Sequence, residues 1–307
     1  MSKPKFHLGI NLGFAINRFP EPQVWVPLVR RELGLRWVQF VADLLNPSLP
    51  APLLQEQAAL IRRLADREGV VIHSTFTSAF TRVNHLMHPE PRQRRWWQEW
   101  FESFARLSAR LGAVAMGSHF GIMSVHDWER PRARRERVEG AVAAWQQISR
   151  VGQQVGLQYL IYEPMSVPRE NAWTREEAQE LRARVNAGSA LPMEFCLDLG
   201  HAPHPEQRDP YQWLAALGPH SPVLHLQQTE RDHSRHWPFT ADCNARGIIE
   251  PGRVLELLAA AGREEYFLFL EISHRERWPD DAQVVSDLQE SVACWREAIR
   301  RGGGQEA

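Results

Sequence analysis

The feature that most constrains the fold is an alternation of short apolar stretches with helical stretches, repeated eight times along 307 residues. The apolar stretches are nearly continuous, as strands buried on both faces of a parallel sheet are. The predicted strands are 6–12, 35–43, 70–77, 113–120, 157–164, 193–199, the start of 221–239, and 266–273. Because a predicted helix follows each strand, we expect an α/β fold that forms one (β/α)8 TIM barrel, with a doubly wound sheet as the alternative.

The length and composition agree with a single large domain. The sequence is 43% hydrophobic, which is enough to bury a substantial core. No proline-rich or glycine-rich linker divides it. We therefore expect one barrel domain over residues 1–301, followed by a frayed C-terminal tail at 302–307.

The charge balance excludes some classes of function. The 36 basic and 37 acidic residues give a formal net charge of -1, so the chain lacks the basic field that drives nonspecific nucleic-acid binding. Lys3 and Lys5 are the only lysines, and both precede the first predicted strand. Schiff-base chemistry and a Walker-type phosphate site each need a lysine inside the site, so neither is expected.

The cysteines and the hydropathy pattern indicate the compartment. Cys196, Cys243 and Cys294 are an odd number without CxxC spacing, which argues against a disulfide framework or a zinc knuckle. No stretch has the composition of a signal peptide or the length of a membrane span. We expect a soluble cytoplasmic protein that has no nucleic-acid or membrane partner, and the sequence leaves a homo-oligomer, dimer or tetramer, open.

Four polar side chains lie near the ends of successive predicted strands. Glu163 is in the fifth strand, Asp198 in the sixth, His225 in the seventh and Glu271 in the eighth. In a barrel the carboxyl ends of the strands meet at the face that carries the active site. A carboxylate turned toward the helices instead would be buried without a partner, which is unfavourable. We therefore expect the four side chains to converge.

Two interpretations account for such a set. The four residues form buried ion pairs with nearby arginines, or they bind a metal ion. Three carboxylates and one imidazole suit an octahedral Mn²⁺ or Mg²⁺ better than a tetrahedral structural zinc, and Co²⁺ or Zn²⁺ are alternatives. Coordination positions left open would accept a carbonyl oxygen and a hydroxyl of a substrate, and the metal would act as a Lewis acid.

The stretch 221–239 continues from the seventh strand into a polar loop. This loop carries several cationic or imidazole side chains, namely Arg231, His233, Arg235 and His236. As a hypothesis, His233, Arg235 and His236 bind a phosphate group together with Arg82 or His85, because charge-assisted contacts to phosphate favour arginine. A solvated surface loop is the alternative.

The motifs at the ends of strands five to eight are YEP, LDLGH, VLHLQ and LFLEIS. Together they resemble the xylose isomerase-like superfamily of sugar and sugar-phosphate isomerases and epimerases, and the resemblance covers nearly the whole chain. Within the ketose 3-epimerase branch, it implies that Glu163, Asp198, His225 and Glu271 bind the metal. It also implies that His201 and Arg231 contact the oxygens of the substrate.

Further similarity is to the erythrulose 1-phosphate 3-epimerases of erythritol catabolism. It lies along HSTFTSAFTRVNHLMHP, YEPMSVPREN, CLDLGHAPHP and HLQQTERDHSRHWPF. The resemblance implies that one of Glu163 and Glu271 removes the proton at C3 to give a metal-bound enediolate, and that the other returns a proton to the opposite face. The implied substrate is a sugar or a sugar phosphate.

Two further histidines, His73 and His119, fall near the ends of predicted strands and are candidate substrate contacts. The superfamily also contains endonuclease IV, whose three-zinc site uses histidines from the third and fourth strands. An AP endonuclease is therefore an alternative, which the balanced charge and the lack of a clear second Asp-x-His pair after His225 disfavour. An aldose–ketose or hydroxypyruvate-type isomerase and a noncatalytic sugar-binding protein are further alternatives.

Overall fold

The structure is a computed structural model, and it describes residues 3–202, 206–277 and 280–306. The strands are β1 (Lys5–Asn11), β2 (Trp37–Val41), β3 (Val71–Phe76), β4 (Ala115–His119), β5 (Tyr159–Glu163), β6 (Met193–Asp198), β7 (Val223–Leu226), β8 (Glu265–Leu270) and β9 (Gln305–Glu306). The α-helices are α1 (Pro22–Pro27), α2 (Ala51–Glu68), α3 (Pro91–Arg110), α4 (Val125–Trp128), α5 (Pro131–Gln154), α6 (Arg175–Asn186), α7 (Pro210–Leu217), α8 (Ala241–Arg246), α9 (Pro251–Ala261) and α10 (Asp281–Arg301). Each of the eight predicted strands is present.

Strand β1 has the predicted length of seven residues but begins one position earlier, whereas β2, β3, β4, β5, β6 and β8 are shorter than predicted. The fifth strand was expected to reach residue 164 but ends at Glu163, because Pro164 has no N–H with which to continue the ladder. None of the described helices is long and apolar enough to cross a membrane.

The chain divides into two compact units, of which the first contains Met1–Phe40, Arg63–Ile72 and Phe195–Ala307. In this unit β1 is parallel to β8 on one side and to β2 on the other. The ladder continues in parallel from β8 to β7 and from β7 to β6. Pairing of the first strand with both the second and the eighth is what a (β/α)8 barrel requires and what an open doubly wound sheet lacks.

The C-terminal residues of this unit differ from the predicted frayed tail. Helix α10 ends at Arg301, and Gln305 and Glu306 then form β9, which pairs in parallel with Lys5 and Phe6 of β1. Ala307 lies outside the described residues. A single domain over residues 1–301 stays a prediction.

The second unit contains Val41–Arg62 and His73–Glu194. Its strands β3, β4 and β5 are parallel neighbours, and their register places His119 of β4 opposite Glu163 of β5. The aromatic residues of α3 pack against α5, with the rings of Phe101 and Trp145 at 5.0 Å. Trp100, Phe101 and Phe104 are buried and form core, whereas Trp96 of the same helix is half exposed.

Candidate active site

Three of the predicted ligands meet at the strand ends of the first unit. Asp198 ends β6 and lies opposite His225 of β7, and Glu271 directly follows β8. Glu271 is two residues beyond Phe269, the partner of His225 in β8, and residues two apart along a strand share a face. Potential ligand atoms of Asp198, His225 and Glu271 all lie within 4.8 Å of one another. The sequence prediction that these three side chains converge agrees with this geometry.

The charges around this cluster fit a divalent cation. Among the described residues, Asp198 and Glu271 form ion pairs only with imidazoles, including a 3.2 Å contact from His225 Nδ1 to Glu271 Oε2. The alternative of buried pairs with arginine is therefore wrong for these two carboxylates. Carboxylates gathered where water is scarce repel one another unless a cation lies between them, and their oxygens and one imidazole nitrogen suit a divalent metal ion.

Gln227 holds the Asp198 carboxylate in place. Its Nε2 donates to both carboxylate oxygens at 2.9 Å, while its Oε1 accepts from the backbone N–H of His236 at 2.6 Å. The backbone N–H of Gly200 donates to Asp198 Oδ1 at 2.5 Å. A Cβ at position 200 would lie 2.2 Å from Gln227 Cδ, so only glycine fits beside this amide.

His201 and His236 line the same cluster. His201 Nε2 lies 3.8 Å from Asp198 Oδ2, and His236 Nδ1 lies 3.6 Å from Glu271 Oε2. The two rings meet edge to face, with centroids 5.8 Å apart. Asp198, His201 and His236 also have ligand atoms within 4.8 Å of one another. Two imidazoles thus border the carboxylates on the side of the loop that follows β7.

The remaining side chains of this loop lie apart from His236. Arg235 forms an ion pair with Glu230, and His233 Nδ1 is 3.5 Å from Glu230 Oε1. The Arg235 guanidinium donates to the carboxylate and lowers the pKa of Glu230. Arg231 is exposed and has no ion-pair partner within the described part of the chain. The cluster that the sequence suggested is therefore split, with His236 beside the carboxylates and His233 and Arg235 around Glu230.

Glu163 and His119 lie at matching strand ends of the second unit. Both are buried, and they are partners in the ladder of β4 and β5. His119 Nε2 is 3.2 Å from the carbonyl oxygen of Val83. Burial lowers the pKa of His119 to about 4, since a charged imidazole is poorly solvated there. The ring of His85 packs 4.1 Å from that of His119, and burial keeps the pKa of His85 well below its ordinary value.

Arg82 and Glu170 form an ion pair in the loops of the second unit. The guanidinium donates to the carboxylate from both Nε, at 2.9 Å, and Nη2, at 2.5 and 2.6 Å. Glu170 is buried, whereas Arg82 is partly exposed. A substrate phosphate that binds Arg82, as the sequence suggests, would therefore compete with the Glu170 carboxylate for the guanidinium.

His73 lies away from the predicted strand end. Its carbonyl accepts from Val114 N at 2.9 Å, and its Nε2 contacts the hydroxyl of Tyr159, the first residue of β5, at 3.0 Å. These contacts place His73 beside the beginnings of β4 and β5, because β3 runs on to Phe76. Residue 114 precedes His119 by five positions, about 16 Å along a strand. His73 therefore does not join His119 at the carboxyl end, and an endonuclease IV-type use of both histidines is disfavoured.

Two glutamines of the site were not anticipated from the sequence. Gln227 contacts Asp198, and Gln39 contacts His225, with Gln39 Oε1 2.6 Å from His225 Nε2. Both amides are fully buried, Gln39 in the middle of β2 and Gln227 directly after β7. A buried amide needs hydrogen-bond partners, so a glutamine in or directly after an apolar strand is the signal that the sequence offers for such a residue.

Comparison with known proteins agrees with this geometry. A family model described as "Xylose isomerase-like TIM barrel" matches residues 29–298. The chain belongs to this family. The prediction of a xylose isomerase-like (β/α)8 barrel is thereby confirmed, as is that of an isomerase or epimerase enzyme.

Relatives with names extend the comparison. The D-erythrulose 1-phosphate 3-epimerase of Brucella abortus (strain 2308) is 34% identical over 300 residues, which are 96% of this chain and 97% of that protein. The solved structure of a provisionally named xylose isomerase from Rhodospirillum rubrum ATCC 11170 superposes with a TM-score of 0.88 at 26% identity, covering 95% of this chain and 99% of the other. D-psicose 3-epimerase from Clostridium cellulolyticum H10, with a TM-score of 0.73 at 14% identity over 95% and 99% of the two chains, shares the fold.

Proposed function

We propose that the protein is a metal-dependent 3-epimerase of ketose phosphates, with D-erythrulose 1-phosphate as a substrate. The main support for a metal ion and for this chemistry is that potential ligand atoms of Asp198, His225 and Glu271 lie within 4.8 Å of one another. The substrate class is supported by the relative that is 34% identical along 96% of this chain. Mn²⁺ or Mg²⁺ is the proposed ion, since the donor set is rich in carboxylate oxygen.

Each ligand has a proposed role. Asp198, His225, Glu271 and, from the second unit, Glu163 are the proposed metal ligands. The bound ion would act as a Lewis acid toward the ketose carbonyl and would thereby acidify the C3 proton. Glu271, which is only half-buried, exchanges this proton on one face of the substrate, and Glu163 does so on the other. Two carboxylates on opposite faces of a planar intermediate would invert the configuration at C3.

Neutral and cationic donors complete the proposed site. His201, beside Asp198, and Arg231, which has no ion-pair partner in the described part of the chain, donate to the substrate oxygens as negative charge develops. His119 is proposed as a further substrate contact, as a neutral imidazole. His233, Arg235 and His236 stay proposed phosphate contacts, with Arg235 sharing its guanidinium between the phosphate and Glu230. A cytoplasmic location and a homo-oligomer stay predictions from the sequence.

Proton NMR in D2O tests this proposal. The substrates are D-erythrulose 1-phosphate, D-erythrulose and a ketohexose, each with protein that has been stripped by EDTA and then reloaded with Mn²⁺. We expect deuterium at C3 with inversion, fastest for the phosphorylated ketose, and no exchange before the metal is restored. Exchange confined to C1 would instead identify an isomerase. The absence of exchange with every ketose would refute the epimerase, and full activity after EDTA would refute the metal.

A further inference from the structure

A chain of hydrogen bonds in the first unit begins at a backbone N–H group, which can act only as a donor. The backbone N–H of Gly13 donates to Asn11 Oδ1 at 2.8 Å. Asn11 ends β1 and caps the short 3-10 helix that follows it. With its oxygen committed to Gly13, Asn11 presents its amide nitrogen to Gln39, and Asn11 Nδ2 donates to Gln39 Oε1 at 2.7 Å. The orientation of the Gln39 amide follows, because its oxygen accepts this bond.

The same oxygen determines which nitrogen of His225 carries the proton. Gln39 Oε1 lies 2.6 Å from His225 Nε2, and since an amide oxygen cannot donate, Nε2 must be the donor. In a neutral imidazole, the other nitrogen, Nδ1, then has its lone pair available. Nδ1 is the nitrogen that faces Glu271, at 3.2 Å from its Oε2. The tautomer that Gln39 imposes is therefore the one that can bind a cation held by Glu271.

The hydrogen-bonded side chains of Asn11, Gln39 and His225 are called the relay below. The strand ladders bring these three side chains together. Asn11 and Gln39 are direct partners in the β1–β2 ladder, and Ile10 is the partner of Leu270 in β8. Asn11 is thus level with Glu271 at the carboxyl ends of the strands. Asn11, Gln39 and His225 are all buried, so water does not compete for the bonds of the relay.

We propose that Asn11 and Gln39 are positioning residues that fix His225 as an Nδ1 metal ligand. This inference rests on the metal site of the proposed function. A hydrogen bond to the second nitrogen of a ligating imidazole sets its tautomer and its ring orientation, and loss of such a partner weakens metal binding. The relay would have no such effect if the two amides only filled space in the core.

Calorimetric titration of metal-free protein with Mn²⁺ tests the first consequence. We expect Gln39→Leu to lower the Mn²⁺ affinity about 10- to 100-fold, because His225 loses the acceptor that orients it. Gln39→Glu should keep an affinity close to that of the wild type, since a carboxylate accepts from both Asn11 and His225. Asn11→Ala should weaken binding in the same direction as Gln39→Leu, because the Gln39 oxygen then loses the Asn11 donor that helps to orient it toward His225.

Gln228→Leu is the matched control. Gln228 is equally buried, but its amide donates to Asn244 Oδ1 and to the carbonyl of Ile249, each at 2.9 Å, and to none of the proposed ligands. This substitution should reduce stability and leave the Mn²⁺ affinity unchanged. An unchanged affinity in both Gln39→Leu and Asn11→Ala would overturn the relay, as would equal losses in Gln39→Leu and Gln228→Leu.

Histidine tautomers can also be measured directly. In protein labelled with ¹⁵N-histidine, the His225 signals are identified by their loss in His225→Gln. We expect a proton on Nε2 both in the metal-free protein and in the Mg²⁺-loaded protein, with a bare Nδ1 in the loaded form. A bare Nε2 in the wild type would refute the relay. If the wild type binds Mn²⁺ but epimerises no ketose, the proposed function fails and the relay stands; if it binds no divalent metal, both fail.

Discussion

The side-chain nitrogen of Gln227 lies 2.9 Å from each carboxylate oxygen of Asp198. The oxygen of the same amide accepts from the backbone N–H of His236. One buried side chain therefore connects a proposed metal ligand on β6 to the loop that follows β7. Because His236 in turn contacts Glu271, a substitution of Gln227 should change the positions of both the proposed metal ligands and the loop that follows β7.

We predict that Gln227→Met lowers the affinity for Mn²⁺ about 10- to 100-fold, since Asp198 loses the donor that orients both of its oxygens. Calorimetric titration of the metal-free protein measures this loss. The turnover number at saturating Mn²⁺ should also fall, because His236 is no longer held beside Glu271. Gln228→Met is the control, and a Mn²⁺ affinity equal to that of the wild type in Gln227→Met would show that the amide has no effect on the ligand.

A second prediction concerns the space around this amide. Gly200→Ala places a Cβ 2.2 Å from Gln227 Cδ, and overpacking of this kind destabilises a protein by about 1–3 kcal/mol. Urea unfolding followed by circular dichroism should show the lower stability, together with weaker Mn²⁺ binding. Gly140→Ala is the matched control, because Gly140 lies within α5 and the added Cβ has no atom within 4 Å beyond its chain neighbours and the adjacent backbone of its own helix. That change should stabilise the protein by about 0.5–1 kcal/mol, since alanine restricts the unfolded chain.

The third prediction tests the two proposed acid–base residues. Glu163→Gln and Glu271→Gln should each lower kcat by at least about 10²- to 10⁴-fold at saturating Mn²⁺, because an amide cannot exchange a proton at C3. Solvent exchange at C3, measured by NMR, is the readout. Glu265→Gln provides the comparison, since Glu265 begins β8, the strand that Glu271 follows, and its carboxylate pairs only with His7 among the described residues. Wild-type turnover in either of the first two variants would remove that residue from the proposed chemistry.

The fourth prediction concerns phosphate recognition. Arg235→Ala should raise the KM for D-erythrulose 1-phosphate about 10- to 100-fold, since a hydrogen bond between charged groups contributes about 1.5–3 kcal/mol. The KM for D-erythrulose itself should not change. Arg246 is a suitable control, because its guanidinium also packs against Trp237, at 4.7 Å compared with 5.6 Å for Arg235. An unchanged KM for the phosphorylated ketose in Arg235→Ala would contradict the phosphate contact.

The barrel and three of the proposed ligands could be predicted from the sequence because both depend on local patterns. Apolar stretches of strand length, separated by helices, determine parallel strands, and a parallel ladder brings the strand ends to one edge. Asp198, His225 and Glu271 each stand at or near such an end, so their convergence follows without knowledge of any side-chain contact.

The same local pattern was misleading for His73. A histidine near the end of an apolar stretch was expected at the carboxyl edge, but β3 continues three residues further, to Phe76. The register with β4 therefore places His73 beside Tyr159 at the beginning of β5. Register is a property of the paired strands, and a single strand does not contain it.

The sequence by itself determined the barrel and the edge at which the polar side chains of strands six to eight gather. Only the tertiary structure decided which atoms of these side chains face one another and form hydrogen bonds. Gln39 meets His225 across 186 positions of the chain, and Gln227 meets Asp198 across 29. The loop arginine Arg235 likewise takes Glu230 as its partner. Strand periodicity selects the face on which a side chain lies, whereas a hydrogen bond also requires distance and direction, and these exist only when the strands are paired.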